Sequence, residues 1–356
     1  MRNRLSFVWK CLGILAVALG LFLLYKGLRA GYAYYTAPPL SPVDLQKEIS
    51  TTTLRTLDKY RFSVLRDTPF RSDSIKIEKE LKRDPLFTAY VFSYTFQGKK
   101  ITGRLNIPVL VRQSEISTPS AQYKAPVIVL LRGYVDKEIY YTGIGTERAS
   151  EAYARAGFVT LAPDFLGFGG SDEESYDVFE SRFAKPAQIL KLLASVETLP
   201  FADSNKIGIW GHSNGGQIAL SVLEITKKDY PTVLWAPVTM GFPESVTAYF
   251  EDLPDKGAYL QGQLDLFHER YIDTDFSIAD EAWMKDISPQ LQIHQGRADE
   301  AFNPDLTSTF VARMKDYEKD VVYYEYPREN HNFQKGNFAE MVTKDIQYYK
   351  KALKIE

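Results

Sequence analysis

Six short runs of apolar and β-branched residues, separated by stretches with helical spacing, constrain the fold more than any other feature of this chain. The runs occupy residues 125–131, 158–163, 206–210, 232–237, 291–294 and 321–326. Helical spacing occurs at residues 146–155, 181–196, 216–225, 304–316 and 337–353. Continuous apolar runs are typical of strands buried on both faces of a parallel sheet. With an antiparallel hairpin that begins at Tyr90 and turns at Gln97-Gly98, the pattern predicts a mostly parallel eight-stranded α/β sheet with helices on both faces.

Composition excludes several classes of function. The chain has 356 residues and a formal net charge of −2, and its 43 Lys and Arg residues are spread along the sequence. No basic stripe for nucleic acid is therefore expected. Cys11 is the single cysteine, which rules out an intrachain disulfide and a cysteine-based metal site. We expect a small or peptidic ligand, and no metal or organic cofactor.

The N-terminus carries the one signal for a membrane. Residues 5–25 are almost entirely apolar, and at roughly 1.5 Å per helical residue they can just span a bilayer core. A cleaved signal peptide is the alternative, but Lys26 and Arg29 follow the run directly, and cleavage regions are usually uncharged. Basic residues before the span, including Arg2 and Arg4, slightly outnumber those after it. This predicts a single-pass anchor with the rest of the chain outside the cytoplasm.

Three regions follow from these patterns. Residues 1–31 are predicted to form the anchor, residues 32–86 a Pro-containing stalk with an N-terminal helical extension, and residues 87–356 the α/β domain. An aromatic-rich insertion at 239–286 interrupts this domain before the fifth of the six runs. It is either an ordinary helical excursion or, as we expect, a cap that shapes an apolar pocket.

The segment Gly211-His212-Ser213-Asn214-Gly215 provides the main chemical motif. It follows the run at 206–210 and precedes helical spacing, so it predicts a sharp strand-to-helix turn that exposes the Ser213 hydroxyl. Ligands of α/β sheets bind beyond the carboxyl ends of the strands, where this turn is expected. A serine hydroxyl is a weak nucleophile unless a base, an orienting acid and oxyanion donors serve it.

Four histidines are candidates for the base: His212, His268, His294 and His331. His212 is next to the serine, but adjacent side chains diverge on such a turn, so a packing role is expected. His268 lies in the insertion and His294 ends an apolar run, where a structural imidazole is the simpler interpretation. His331 follows the last run, and this position matches the Ser, acid, His order of α/β-hydrolases.

The acid is expected in the loop after the run at 291–294. That loop contains Asp299, Glu300 and Asp305. Spacing after the strand favours Asp299, while the other two remain competitors because acidic residues are common in solvated loops.

Another Gly-rich loop, residues 164–171, follows the run at 158–163. Its spacing does not fit G-x-G-x-x-G, and it lacks the lysine of a phosphate-binding loop. We expect Asp164 to have a structural role there, by holding neighbouring turns together.

Taken in order, these motifs resemble the catalytic domain of the prolyl oligopeptidase family of serine hydrolases. The resemblance rests on GHSNGG around Ser213, GRAD around Asp299 with Pro304 beyond it, and ENHNF around His331. The hairpin SYTFQGKKITGRLNIP is similar to the entry into that domain, and the likeness runs from about Phe87 to the C-terminus. It implies an α/β-hydrolase fold, with Ser213 as nucleophile, Asp299 as orienting acid and His331 as base.

The chain departs from that family in two ways. Arg132 stands before Gly133 where the family has a histidine, so the oxyanion loop is altered; we expect the backbone N–H groups of Asn214 and Tyr134 to be the donors. Only a short stalk is expected before the domain, without the propeller that gates access in family peptidases. The sequence predicts a membrane-anchored serine-type peptidase acting on short peptides. The alternatives are a carboxylesterase acting on small esters and a non-catalytic binding protein of the same fold.

Overall fold

The computed structural model describes residues 57–110, 124–253, 255–278 and 281–355, which all belong to one compact unit. A sheet of nine strands runs through this unit in the order β1-β2-β3-β5-β4-β6-β7-β8-β9. The strands are β1 Lys76–Arg83, β2 Phe87–Phe96, β3 Lys99–Pro108, β4 Ala125–Leu131, β5 Val159–Pro163, β6 Ala202–His212, β7 Thr232–Trp235, β8 Leu291–Gly296 and β9 Val321–Tyr326. Strands β4 to β9 pair in parallel, whereas β1, β2 and β3 add on as an antiparallel extension.

The first strand was not predicted from the sequence. Lys76–Arg83 falls in the region where a helical extension was expected, and it pairs with β2 at the edge of the sheet. All eight of its side chains are exposed, so no buried face imposes an alternating pattern on its sequence. Charged residues are typical of edge strands because they discourage pairing with other chains. The sheet therefore has nine strands instead of eight, and residues 57–86 belong to the same compact unit as the predicted domain.

The bounds of nine α-helices are defined within the described residues. They are α1 Phe62–Asp67, α2 Glu147–Arg155, α3 Val178–Ser195, α4 Asn214–Thr226, α5 Glu244–Thr247, α6 Ala258–His268, α7 Glu281–Met284, α8 Pro304–Asp316 and α9 Phe338–Ala352. None of the helices in this described part combines the length and apolarity needed to cross a bilayer. The predicted anchor at 5–25 and the start of the stalk lie outside the described residues.

Successive residues of the buried strands face two different cores. Val127 and Val129 of β4 belong to a large cluster with α1, α3, α4 and α8, whereas Ile128 and Leu130 belong to a second cluster with α2 and α9. Strand side chains alternate between the two faces of a sheet. Both faces are therefore covered by helices, which explains why the sequence of β4 is continuously apolar.

The predicted insertion at 239–286 contains α5, α6 and α7 and most of the chain between β7 and β8. Its aromatic side chains pack against α3: the ring centroids of Phe183 and Phe276 are 4.5 Å apart, and those of Phe183 and Phe242 are 5.1 Å apart. Phe267 is fully buried in the same cluster. Aromatic packing of this kind fixes the insertion on α3. In turn, α3 packs against α4, the helix that begins after Ser213.

Candidate active site

Ser213 occupies the turn between β6 and α4. Its backbone has φ 55° and ψ −124°, a conformation that a non-glycine residue adopts only at an energetic cost and that often marks a functional site. The Ser213 carbonyl accepts a hydrogen bond from Val238 N, and its N–H donates to Trp235 O, both at 3.0 Å. A Cβ at Gly215 would lie 1.9 Å from Leu131 O. The glycine in the motif is therefore required for α4 to approach β4 closely.

His331 and Asp299 form a hydrogen-bonded pair at the same edge of the sheet. Asp299 follows β8, His331 follows β9, and His331 Nδ1 lies 3.0 and 2.9 Å from Asp299 Oδ1 and Oδ2. Asp299 also accepts hydrogen bonds from Gln295 Nε2 and from the N–H groups of Ala301 and Phe302, each at 2.9 Å. Burial raises the pKa of Asp299, but the hydrogen bond and charge of His331 and these N–H donors outweigh burial and leave it below the ordinary value.

The competing carboxylates have other partners. Glu300 Oε2 lies 3.3 Å from His331 N, where it can accept a hydrogen bond from the backbone and not from the ring. Asp305 forms an ion pair with Arg297 at 2.9 Å, and its side chain is 73% exposed. Of the three acids that spacing left open, Asp299 is thus the one at the imidazole.

His212 connects the serine to His331. Its Nε2 lies 3.0 Å from His331 O, and the two ring centroids are 4.8 Å apart. Burial, together with repulsion from His331, lowers the pKa of His212 to about 4, so the ring is neutral at neutral pH and its Nε2–H donates to the carbonyl. His212 therefore packs against the His331 loop and holds its backbone, consistent with the packing role predicted for it.

The other two histidines lie elsewhere. His268 Nε2 is 2.8 Å from Asp273 Oδ1 at the surface of the insertion. His294 is fully buried, with Nε2 2.9 Å from Asp345 Oδ1 and Nδ1 2.9 Å from the Tyr326 hydroxyl. This ring has the satisfied structural role expected from its place at the end of a strand.

The two predicted oxyanion donors flank Ser213. A Cβ at Gly133 would lie 2.8 Å from Ser213 Cβ, so the loop that carries Tyr134 runs directly over the serine. Asn214 is the first residue of α4, where backbone N–H groups have no partner within the helix. Among the described residues, neither the Asn214 nor the Tyr134 N–H donates a hydrogen bond. Both donors are therefore free to bind a developing negative charge.

Arg132 fixes this loop, a role that sequence reasoning missed. Its guanidinium donates to Gly133 O at 2.9 Å and to Asp164 O at 3.0 Å, and it stacks over the Phe168 ring at 4.1 Å. Asp164 accepts hydrogen bonds from the hydroxyls of Thr102, Tyr140 and Thr142 at 2.6, 2.7 and 2.9 Å. Asp164 thus holds neighbouring turns together as predicted, and Arg132 extends that network to the oxyanion loop.

Arg182 is a second residue that the sequence did not indicate. It lies on α3 and donates to Gln217 Oε1 on α4 at 2.5 Å and to Ser245 Oγ on α5 at 2.7 Å. These bonds connect the insertion to the helix that begins after the serine. The only sequence signal was a pair of basic residues, Arg182 and Lys185, three positions apart in a largely apolar helix.

A cavity of about 350 Å³ opens beside the serine turn. Its walls come from the loop after β4, the loop after β5 and the helices α3 and α4, and they include Gly133, Asn214, Phe165, Phe168 and Lys185. In the described part of the chain, no group of three or more His, Cys, Asp or Glu side chains is arranged to hold a metal.

Several solved structures are similar in fold. Acetyl xylan esterase 1 from Thermoanaerobacterium sp. superimposes with a TM-score of 0.56 and 16% identity, over 85% of this chain and 98% of the esterase. A puromycin-hydrolyzing peptidase of Mycobacterium tuberculosis has a TM-score of 0.53 and 13% identity, over 80% of this chain and 46% of that one. An S-formylglutathione hydrolase from Agrobacterium tumefaciens has a TM-score of 0.51 and 14% identity, over 78% of this chain and 99% of that one. These similarities confirm the α/β-hydrolase-like fold.

Sequence comparison identifies the family. An uncharacterized 31.7 kDa protein of Escherichia coli is 29% identical over 98 residues, which are 28% of this chain and about a third (32%) of that relative's length. A family model described as the prolyl oligopeptidase family matches residues 146–355. This match contains Ser213, Asp299 and His331 and more than half of the chain. The chain therefore belongs to the prolyl oligopeptidase family of serine hydrolases.

Proposed function

We propose that this protein is a serine-type peptidase that cleaves short peptides through an acyl-enzyme on Ser213. The observation that carries the proposal is a strained, half-buried serine whose neighbour His212 contacts the loop of His331, a histidine whose Nδ1 is bonded to a buried carboxylate. Such a pair raises the basicity of the opposite ring nitrogen and fixes its tautomer. Family membership supports the same reaction class.

In this mechanism His331 takes the proton of the Ser213 hydroxyl as Oγ attacks the substrate carbonyl. The carbonyl oxygen becomes negative and accepts hydrogen bonds from the N–H groups of Asn214 and Tyr134. His331 then gives its proton to the leaving amine, and a water molecule activated by the same ring releases the acyl group. Asp299 stabilises the imidazolium in both steps and stays ionised, in keeping with its lowered pKa.

Among the described residues the Ser213 hydroxyl makes no hydrogen bond. Catalytic hydrogen bonds are often long until substrate binds, so we expect the positions of the Ser213 backbone and of the His331 ring to bring the two groups into contact in the substrate complex. Those positions are fixed by the contact of His212 with the His331 loop.

A carboxylesterase acting on small esters is the second candidate. Two proteins of similar fold that match over nearly their whole length are an acetyl xylan esterase and an S-formylglutathione hydrolase. The cavity beside the serine is open and partly apolar, as a small acyl group requires. Both candidates use the same residues, so the site alone is compatible with either.

A covalent serine probe tests the proposed reaction. We expect a fluorophosphonate to label the full chain, and Ser213→Ala to abolish both labelling and turnover. His331→Ala should lower turnover by several orders of magnitude, whereas His212→Ala should retain measurable activity. Labelling that survives in Ser213→Ala would point to another serine. No labelling of the parent protein would favour a non-catalytic binding protein of the same fold.

A matched substrate panel separates peptidase from esterase. Short peptide amides, including prolyl ones, would be compared with p-nitrophenyl esters of the same acyl groups. Ester cleavage alone does not decide, because an activated ester needs less help with its leaving group than an amide. Turnover of esters with none of the amides would reject the peptidase and favour the carboxylesterase.

We also propose that residues 5–25 anchor the protein in a membrane, with the hydrolase domain on the extracytoplasmic side. The proposal is supported by the apolar run and by the basic residues that flank it.

A further inference from the structure

Several cationic side chains line the cavity beside Ser213. Arg132, Lys137 and Lys185 line it, and Arg182 lines a smaller adjoining cavity that shares Lys185 and Asn214. Among residues 57–110, 124–253, 255–278 and 281–355, two carboxylates, Glu138 and Glu174, line the same two cavities. The two cavities are thus lined by four cationic and two anionic side chains, close to Asn214, a predicted oxyanion donor.

The partners of these cations differ. Lys137 forms an ion pair with Glu174 at 2.5 Å. The Arg132 guanidinium donates to backbone carbonyls, and Arg182 donates to an amide and a hydroxyl, so neither is paired with a carboxylate. Lys185 makes no hydrogen bond or ion pair with any described residue. Of these four cations, Lys185 is therefore the one whose ammonium can still donate hydrogen bonds to a ligand.

The position of Lys185 is unfavourable for an unpaired charge. It is half-buried on α3, three residues after Arg182, so the two charges lie on the same helix face. Burial, and then repulsion from Arg132, Arg182 and Lys137, outweighs the attraction of Glu174 and lowers the pKa of the Lys185 ammonium to about 8. A lysine with only a structural role would extend its ammonium into solvent and avoid this cost. A bound anion would remove it, because opposite charge favours the protonated form.

The cavity lies on the acyl side of the site. A leaving group must accept its proton from His331, and the residues that line the cavity include neither His331 nor Asp299. They do include Asn214 and Tyr134, whose N–H groups flank the carbonyl oxygen in the proposed mechanism. A substrate seated on Ser213 would therefore extend its acyl chain toward Lys185.

We propose that the substrate's acyl group carries a carboxylate that binds Lys185, with Arg182 adding long-range attraction. This inference rests on the proposed hydrolase function and names its substrate class: acyl groups derived from dicarboxylic acids, or acidic acyl chains of similar length. A charge-assisted hydrogen bond to a partly buried ammonium contributes enough to discriminate strongly against an uncharged acyl chain.

Two esters of equal chain length test the proposal. The full-length protein is assayed at pH 7 with the mono-p-nitrophenyl ester of adipic acid and with p-nitrophenyl hexanoate, after subtraction of spontaneous hydrolysis. We expect kcat/KM to be roughly ten- to a hundredfold higher for the adipate ester, as a hydrogen bond to a charged group implies. Lys185→Met should abolish the preference, and Lys185→Arg should keep part of it.

Lys191→Met is the matched control, because Lys191 lies on the same helix but its ammonium donates to Arg71 O at 2.7 Å, away from the cavity. Its adipate preference should equal that of the parent protein. Hydrolysis of both esters at similar rates would overturn the inference and leave the hydrolase function intact. Equal preference in the parent and in folded Lys185→Met would also overturn it.

A binding measurement keeps the inference separate from catalysis. Calorimetric titration of Ser213→Ala with monoethyl adipate should show binding, and the double variant Ser213→Ala/Lys185→Met should show at least a tenfold weaker affinity. If neither ester is hydrolysed and no fluorophosphonate labels Ser213, the proposed function is wrong, and this titration still decides whether the carboxylate site exists. Absence of binding to folded Ser213→Ala would refute the site.

Discussion

Asp299 differs from its acidic neighbours in what it contacts. It alone among the three candidate acids bonds to His331 Nδ1, whereas Asp305 is held by Arg297 at the surface. We expect Asp299→Asn to lower kcat by roughly 10³- to 10⁴-fold, because an amide in this position favours the wrong imidazole tautomer. Asp305→Asn, the matched control, should stay within a few-fold of the parent. Steady-state kinetics on an activated ester would measure both, and comparable losses in the two variants would contradict the assignment of the acid.

His212 should make the stability of the fold depend on pH. Its pKa is lowered from 6.5 to about 4 in the folded chain, so between those values the unfolded state binds a proton that the folded state does not. The free energy of unfolding therefore falls as the pH falls through this window, by up to about 3 kcal/mol from this residue.

The variant His212→Gln isolates that contribution, because its amide can still donate to His331 O and it does not titrate. Urea unfolding at pH 6.5 and pH 4.5 should show a smaller loss of stability in the variant than in the parent protein. An identical loss in both would mean that His212 is not the group responsible.

At the scale of elements, α4 depends on glycines that allow it to begin directly beneath the serine. Gly215 lies so close to β4 that a Cβ would overlap Leu131 O, whereas Gly262, in the middle of α6, has nothing within 4 Å of an added Cβ. The two glycines occupy helices of similar length but very different surroundings.

We expect Gly215→Ala to destabilise the protein by about 3 kcal/mol or more, because backbone must move to relieve the overlap. Gly262→Ala should instead stabilise it by up to about 1 kcal/mol, the usual difference in helix propensity. Midpoints of urea unfolding, followed by circular dichroism, would measure both. A neutral Gly215→Ala would show that the close contact of α4 with β4 is not needed.

At the scale of the whole molecule, the topology of the chain relative to a membrane is the main prediction. If residues 5–25 span a membrane as proposed, protease added outside intact cells or spheroplasts should degrade the hydrolase domain, and the N-terminal segment should remain in the membrane fraction. Immunoblots with tags at the two termini would follow the pieces. Complete protection of the C-terminal tag, with degradation after lysis as the control, would place the domain on the cytoplasmic side.

Much of the fold could be predicted because its strands are buried on both faces. The apolar run at 125–131 coincides with β4, and helical spacing at 304–316 coincides with α8. The edge strand β1 could not be predicted, since its side chains are all exposed and its partner, β2, is what makes it a strand. The pattern of apolar residues along the sequence thus predicts which strands are buried. It does not predict a strand such as β1, which forms only because it pairs with its neighbour in the sheet.

Some features of the candidate site could likewise be predicted from the sequence, and others only from the structure. The sequence by itself determined the serine turn, the order of the serine, acid and histidine, and a short set of candidate acids, because glycine spacing and strand order constrain the local backbone. Only the tertiary structure decided that Asp299 faces His331, that His212 holds the His331 loop, and that Arg132 fixes the oxyanion loop. It also placed Lys185 in the cavity beside Asn214. These relations join residues that are distant in the chain and meet only when parallel strands align their carboxyl ends at one edge of the sheet.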